Sequence, residues 1–151
     1  TRYSHGFDPN FDVGAIHLDT NVGDQLGWFR VESRPRQDLE LRWAHVPGYP
    51  GDKEALIQDD YGARFAKAAD LYYHATPIDK VHDDGRIHYP VDTAQGQSGS
   101  PIFIMGEDNI PSVVGIHAYG ERGSRTDLTN NSGPWIDPTL FEQIMAWRDI
   151  S

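Results

Sequence analysis

An all-β fold is predicted by three features of this 151-residue sequence. Glycine and proline are abundant, at 15 and 10 residues, the apolar runs are short, and clusters of turn-forming residues recur between them. That pattern suits many strands joined by tight turns better than long helices. Phe11 to Leu18 (FDVGAIHL) alternates loosely and carries β-branched residues, which predicts a strand ending at Asp19-Thr20-Asn21 and Gly23-Asp24. Short strands are then expected at Trp28 to Glu32, Leu39 to Val46, Lys53 to Gln58, Ile87 to Val91, Pro101 to Met105 and Val113 to Ala118. Between them, Pro47-Gly48-Tyr49-Pro50-Gly51, Asp83-Asp84-Gly85 and Gly106-Glu107-Asp108-Asn109 are residue types that bend the chain at little cost. Strands at this spacing indicate a barrel or sandwich. Two stretches read as helix. In Asp59 to Tyr73, the positions Tyr61, Phe65, Ala68, Ala69 and Tyr72 have helical spacing and suggest a helical insertion. At the end of the chain Asp137 supplies an N-cap and Pro138 the first helical position, with Leu140, Ile144 and Trp147 on one face.

The formal net charge is −10 and the pI near 4.9. Such a surface repels phosphate backbones and anionic membranes, and no basic stripe offsets it, so neither nucleic acid nor membrane is an expected partner. No apolar run approaches the roughly 20 residues that a bilayer span needs, and no charged-then-apolar leader opens the chain, which reads as soluble and already processed. Cysteine is absent, so neither a disulfide framework nor a thiolate zinc site can form. His17, His45, His74, His82 and His88 show no HExxH or i, i+4 pairing. Asp59-Asp60 and His82-Asp83-Asp84-Gly85 lack the alternation of a calcium loop and read as solvated turns. No metal or cofactor is expected. Asn130-Asn131-Ser132 is a glycosylation sequon with meaning only in a eukaryotic secretory source. An acidic, Lys/Arg-poor chain is common outside bacterial cells, which favours an extracellular location.

The strongest chemical signal is Gly96-Gln97-Ser98-Gly99-Ser100-Pro101, preceded by Tyr89-Pro90-Val91-Asp92-Thr93 and followed by Ile102, Phe103 and Ile104. An acyl-transfer serine needs backbone N–H groups aimed at a carbonyl oxygen as it becomes an oxyanion. A glycine two residues earlier can present its N–H there without steric cost. Gly96 and Ser98 are the candidate pair. Ser100 stands where the nucleophile elbow of α/β-hydrolases has its second glycine, which argues against that family. A bare G-x-S-G is also an ordinary turn. Its context here includes Val113-Val114-Gly115-Ile116-His117-Ala118-Tyr119-Gly120 downstream and Gly48-Tyr49-Pro50-Gly51-Asp52-Lys53 upstream.

In these ordered motifs, GYPGDK, DTAQGQSGSPIF and VVGIHAYG, the chain resembles the glutamyl endopeptidase (V8-like) branch of the chymotrypsin-type serine proteases. With FDVGAIHL near the start and the closing helix, the resemblance covers essentially the whole chain, although Asp59 to Asp84 is longer than usual. It implies a double β-barrel: residues 1–26 finish the first barrel and a linker, 27–136 form the second barrel with nucleophile and S1 pocket, and 137–151 form the C-terminal helix. It also implies Ser98 as nucleophile and Asp12 as the acid that orients the base, with Gly96 in the oxyanion hole. Without the resemblance, Asp12 reads as a turn cap before a strand. The family's base histidine precedes its aspartate by several tens of residues, and only His5 precedes Asp12 here, too close to serve. The expectation is therefore that the catalytic histidine lies on an N-terminal segment missing from this sequence or on a separate companion chain. The alternative is a non-catalytic relative that binds peptides or a partner protein in the same cleft.

For specificity, a lone His in an apolar strand is ordinarily a satisfied core residue. The resemblance instead places His117 and Gly120 of GIH-x-x-G, together with Thr93, in a pocket for a Glu side chain. An imidazole and a hydroxyl suit a buried carboxylate, which needs donors. Asp92 stands where trypsin-like enzymes hold the aspartate that attracts Lys or Arg. If it faces the pocket basic residues are favoured, and if it turns away His117 and Thr93 define a Glu pocket; a trypsin-type pocket gives no role to a histidine at the His117 position, so cleavage after Glu is the expectation.

Overall fold

Alternating burial along short strands sets the architecture of the chain, whose computed structural model describes residues 12–51, 70–120 and 131–148. In chain order the elements are α1 (Gly23–Leu26), β1 (Arg30–Val31), a 3-10 turn (Arg36–Asp38), β2 (Trp43–Gly48), β3 (Tyr72–Pro77) and β4 (Lys80–Val81). They continue with β5 (Arg86–Tyr89), β6 (Pro101–Met105), β7 (Pro111–Ile116), β8 (Asn131–Pro134) and α2 (Pro138–Arg148). One sheet has the order β1-β7-β6-β2-β3 and the other β4-β5-β8. Ala44 and Val46 of β2, Ile102 and Ile104 of β6 and Val114 of β7 point inward at alternate positions, as a pleated strand requires. They meet Ile87 and Tyr89 of β5 and Val81 of β4 in one buried cluster, with Leu39, Ile78 and Val91 from the connections. Each such aliphatic side chain contributes roughly 1.5–3 kcal/mol of burial free energy.

The all-β expectation holds, with β6 at its predicted residues and the Asp83-Asp84-Gly85 and Gly106 to Asn109 segments as its turns. The strand expected at Phe11 to Leu18 is corrected. Among its described residues, 12–18, none is in a strand. A strand needs a hydrogen-bonded neighbour, and Ile16, 89% exposed, has no cover. The Leu39 to Val46 strand begins later, at Trp43, because Leu41 turns through a positive φ of 65° and Leu41 N–H donates to Ile78 O. It then runs on through Pro47 and Gly48, which pair with Tyr73 and Tyr72 instead of turning. Those tyrosines lie in β3, so the end of the expected helical insertion is strand; residues 52–69, including the Lys53 to Gln58 expectation, Asp59-Asp60 and most of that insertion, lie outside the described residues. The 28–32 strand is shortened to Arg30–Val31, and β5 and β7 start one or two residues earlier than expected. Strands β4 and β8 were not expected.

The C-terminal helix begins as the sequence requires. Asp137 Oδ1 accepts the Leu140 N–H at 2.7 Å, and Leu140 is buried. The acidic turn at 83–85 is stitched by ion pairs, Arg36 to Asp83 at 2.5 Å and Arg86 to Asp84 at 2.6 Å. No helix among the described residues is long and apolar enough to cross a membrane.

His88 on β5 is an unusual core residue. It is 2% exposed, and neither ring nitrogen has a hydrogen-bond partner among the described residues. Its ring meets His82 edge-on at 4.4 Å between centroids. Burial, with the nearby His82 and Arg86, pushes its pKa down to about 4 against the opposing pull of Asp84 and Asp79. The folded state thus binds fewer protons than the unfolded chain between about pH 6.5 and pH 4. The stability this residue confers is complete above about pH 6.5 and is lost as pH falls toward 4, at about 3 kcal/mol in all. Denaturant melts across this range are expected to show the steep loss, and His88→Phe to flatten it. An unchanged slope in the variant would place the acid-sensitive group elsewhere.

Candidate active site

The loop between β5 and β6 is shaped by its own hydrogen bonds. Ala94 N–H donates to Gln97 Oε1 at 2.7 Å, Gln97 N–H to Ala94 O at 3.3 Å, and Ser100 N–H to Gln97 O at 3.0 Å. Gly51 N–H donates to Gln95 O at 2.7 Å, anchoring the loop to the segment after β2. Gly96 turns with φ +103°, and a Cβ there would sit 3.0 Å from Tyr49 O and 3.1 Å from Gly51 N, so glycine is required twice over. Gly48 on β2 lies against the same loop, since a Cβ would meet Ser100 Oγ at 2.6 Å. Past the last β6–β7 pair the ladder continues into the loop: Gly99 N–H donates to His117 O at 2.8 Å and His117 N–H to Ser100 O at 2.9 Å.

Ser98 sits exposed at the tip, its Oγ 3.5 Å from Ala118 O. The backbone N–H groups of Gly96 and Ser98 find no acceptor among the described residues. They are free to donate to an incoming oxygen. Asp12 joins the site from the far end of the chain: its Oδ2 accepts a hydrogen bond from the Tyr119 hydroxyl at 3.0 Å. Burial and the Asp12 charge push the Tyr119 phenol up to about 12, so it stays a donor. Tyr119 is itself fixed by reciprocal backbone hydrogen bonds with Ser132 of β8, at 2.8 and 2.9 Å.

Beside Ser98 opens a cleft of about 670 Å³ whose wall includes Asp92, Thr93, Ser98, His117, Gly120 and Asn131. His117 is 2% exposed, and burial lowers its pKa to about 4, leaving it neutral above that pH. Its Nδ1 lies 2.6 Å from the hydroxyl of Tyr89. The Thr93 hydroxyl is buried and has no partner among the described residues. Asn131 donates through Nδ2 to Val91 O. The Asp92 backbone N–H donates to His74 Nδ1 at 2.9 Å, and Asp92 also lines a second cavity of about 340 Å³ with Tyr72, Tyr73 and His74.

The structure therefore brings Ser98, Thr93, Asp92, His117 and Gly120 to one cleft, sets Gly96 in its rim loop, and reaches Asp12 through Tyr119. His5, Asp52 and Lys53 lie outside the described residues. Sequence reasoning gave no role to Tyr89, Tyr119 or Asn131. All three lie within or beside its motifs and sequon, and alternation on β5 is the one signal that faces Tyr89 inward with Ile87.

No family model matches the chain. The glutamyl endopeptidase of Bacillus licheniformis is 28% identical over 144 residues, 93% of this chain and 40% of that protein. The extracellular metalloprotease of Bacillus subtilis is 26% identical over 142 residues, 94% of this chain and 39% of that protein. The chain thus spans about two fifths of the length of these curated relatives. A solved Glu endopeptidase in complex with MPD superposes with TM-score 0.65 at 24% identity, covering 86% of this chain and 51% of that one. The protease Anisep from Arthrobacter nicotinovorans gives TM-score 0.57 at 16% identity, covering 89% and 57%. A thermostable serine protease from an extremophilic microorganism gives 0.55 at 20%, covering 87% and 53%. The fold is that of the chymotrypsin-like serine proteases. The sequence likeness to a glutamyl endopeptidase agrees with the resemblance that the motifs carry.

Gly96→Ala combines a strained φ with two close backbone contacts and is expected to destabilise the protein by about 1–3 kcal/mol. Chemical denaturation measures this. A melt within 0.5 kcal/mol of the parent, roughly the scatter of neutral surface changes, would mean the loop does not hold this geometry.

Proposed function

We propose that the chain is the nucleophile-bearing part of a serine endopeptidase. The observation that carries this reading is the convergence of Ser98 and Asp12, 86 positions apart by their numbers, on the consecutive residues Ala118 and Tyr119 beside an open cleft. In this reading Ser98 Oγ attacks the scissile carbonyl carbon and its proton passes to a histidine base, which returns it to the leaving amine. Water then releases the acyl group by the same route. The Gly96 and Ser98 N–H groups hold the oxyanion, and Asp12 accepts a hydrogen bond from the base and stabilises its imidazolium. Residues 1–26 would finish a first barrel, 27–136 form the second, and 137–151 close the chain as a helix.

The base is assigned to sequence outside these 151 residues, in a companion N-terminal segment or chain. The exposed apolar series Ile16, Leu18, Leu26, Trp28 and Phe29 supports this, because it offers the companion a surface to cover. Its cover must be noncovalent as far as disulfides go, since this chain has no cysteine. Secretion is proposed from the extracellular name of one relative and from the acidic composition.

A fluorophosphonate probe tests the chemistry. On the active protein, denaturing mass spectrometry is expected to show one adduct on the chain carrying Ser98 and a histidine-bearing companion segment or chain. Ser98→Ala is expected to lose the adduct and several orders of magnitude in turnover while still folding. An unlabelled but folded and peptide-binding protein would instead support the non-catalytic reading.

Cleavage after Glu is proposed for the specificity. A P1 carboxylate entering the cleft loses hydration worth several kcal/mol, which charge-assisted donors offset. His117 and Thr93 are the donors at hand. His117→Ala is expected to cut kcat/KM for Glu substrates by about 30- to 1000-fold and to affect uncharged P1 residues much less. In a P1 library, preference for Arg or Lys would reverse the assignment and make Asp92 the residue that selects.

A further inference from the structure

Tyr89 has no place in the reading above, yet it touches the residue on which the specificity rests. Its side chain is fully buried on β5. Among the described residues the one hydrogen-bond partner of its hydroxyl is His117 Nδ1, at 2.6 Å. The ring of His117 is fixed from two sides: its backbone N–H and C=O are both bound to the Ser98 loop, and the Tyr89 ring packs 6.0 Å from its centroid at 58°. What remains of the ring forms part of the cleft wall.

A neutral imidazole has one nitrogen that donates and one that accepts. Which is which follows from the phenol. If Tyr89 accepted from an Nδ1–H, its own proton would have no acceptor among the described residues in a buried site, and leaving a buried donor unmade is the costlier arrangement. If it donates to Nδ1, both groups are satisfied. Burial raises the Tyr89 pKa and lowers that of His117, so phenol and imidazole keep these forms through neutral pH.

We propose that Tyr89 is the positioning residue of the specificity cleft: its hydroxyl donates to His117 Nδ1 and locks the imidazole as the Nε2–H tautomer. The ring then offers the cleft a neutral N–H donor, suited to a substrate carboxylate. The opposite tautomer would turn a lone pair toward that carboxylate and repel it. The role in specificity rests on the assignment of His117 as the P1 contact, whereas the tautomer itself does not.

Tyr89→Phe keeps the buried ring and removes only the donor. Two readouts on the active, full-length protein separate the tautomer from its consequence. Nitrogen-15 NMR of the His117 side chain is expected to show Nε2–H with an unprotonated Nδ1 in the parent, and a shift toward the other tautomer in Tyr89→Phe. An Nδ1–H parent, or an Nε2–H form unchanged in the variant, overturns the proposal. Alongside, kcat/KM for Glu substrates is expected to fall about 10-fold, and that for uncharged P1 residues less than about 3-fold. An equal fall for both would mean that Tyr89 only supports the fold. If the tautomer shifts and Glu selectivity stays put, the specificity role is overturned because His117 is not the P1 contact, while the lock itself stands. A Tyr89→Phe melt close to the parent's confirms that the kinetics are read on folded protein.

Discussion

Two backbone hydrogen bonds, from Gly99 to His117 and from His117 to Ser100, tie the Ser98 loop to the strand end beside it, and the rest of the site depends on that tie. Each is worth only about 0.5–1.5 kcal/mol net. Their importance is geometric. They extend the β6–β7 ladder beyond Pro101 and Ile116, so the rigid hairpin that carries Ile102, Ile104 and Val114 into the core also fixes the loop. The residue that accepts and donates both bonds is the one whose ring lines the cleft. Position of the serine and shape of the cleft are therefore one variable, and a shift of β7 moves both.

The same strand end collects the remaining groups. Ala118 faces the Ser98 hydroxyl, Tyr119 holds Asp12, and Tyr119 is pinned in turn by Ser132 of β8. Three segments distant in sequence thus meet on residues 117–119. The cleft walls leave polar capacity unspent: the Thr93 hydroxyl has no partner among the described residues, and two backbone N–H groups in the loop have none. Unmade bonds of this kind cost about 1–3 kcal/mol each when dry. For the two N–H groups of the exposed loop, water or a substrate in the open cleft can supply the missing partner, whereas the buried Thr93 hydroxyl retains the cost.

How much of this the sequence disclosed depends on where the determining partner lies. Strand β6 was readable because Ile102 and Ile104 alternate and a tight turn follows, both local facts. Strand β8 was not, since Asn131, Ser132, Gly133 and Pro134 are turn formers by composition, and only pairing with β5 makes them a buried strand. Tyr72 and Tyr73 fitted a helical spacing until β2 captured them in register. Residues 12–18 have strand-forming composition and no neighbour to pair with among the described residues. The same division holds in the site. Ser98, Gly96, His117 and Thr93 could be named as candidates because they sit in short motifs. The Tyr89–His117 contact spans 28 positions and the Tyr119–Asp12 contact 107, and nothing local marks either.

Asp92 is where local reading and structure leave the sharpest physical question, and the second cavity bears on it. Its backbone N–H is held by His74, and the residue lines both the main cleft and the neighbouring space of about 340 Å³. In a water-filled cleft, a carboxylate about 4 Å from another unit charge interacts by about 1 to 4 kcal/mol, depending on the effective dielectric. That is comparable with a single hydrogen bond from His117 to a charged group. A substrate seated there, as proposed, would break the balance, because filling the main cleft expels water and strengthens whatever charge still faces it. A carboxylate with only the main cleft for solvent would then dominate and select a cation. One that keeps its hydration from the second cavity stays screened, and the donor on His117 decides instead. Under the proposed specificity, the partition between the two spaces, which Asp92, Thr93 and Ala94 share, would be the element through which backbone position sets the sign of the side chain preferred at P1.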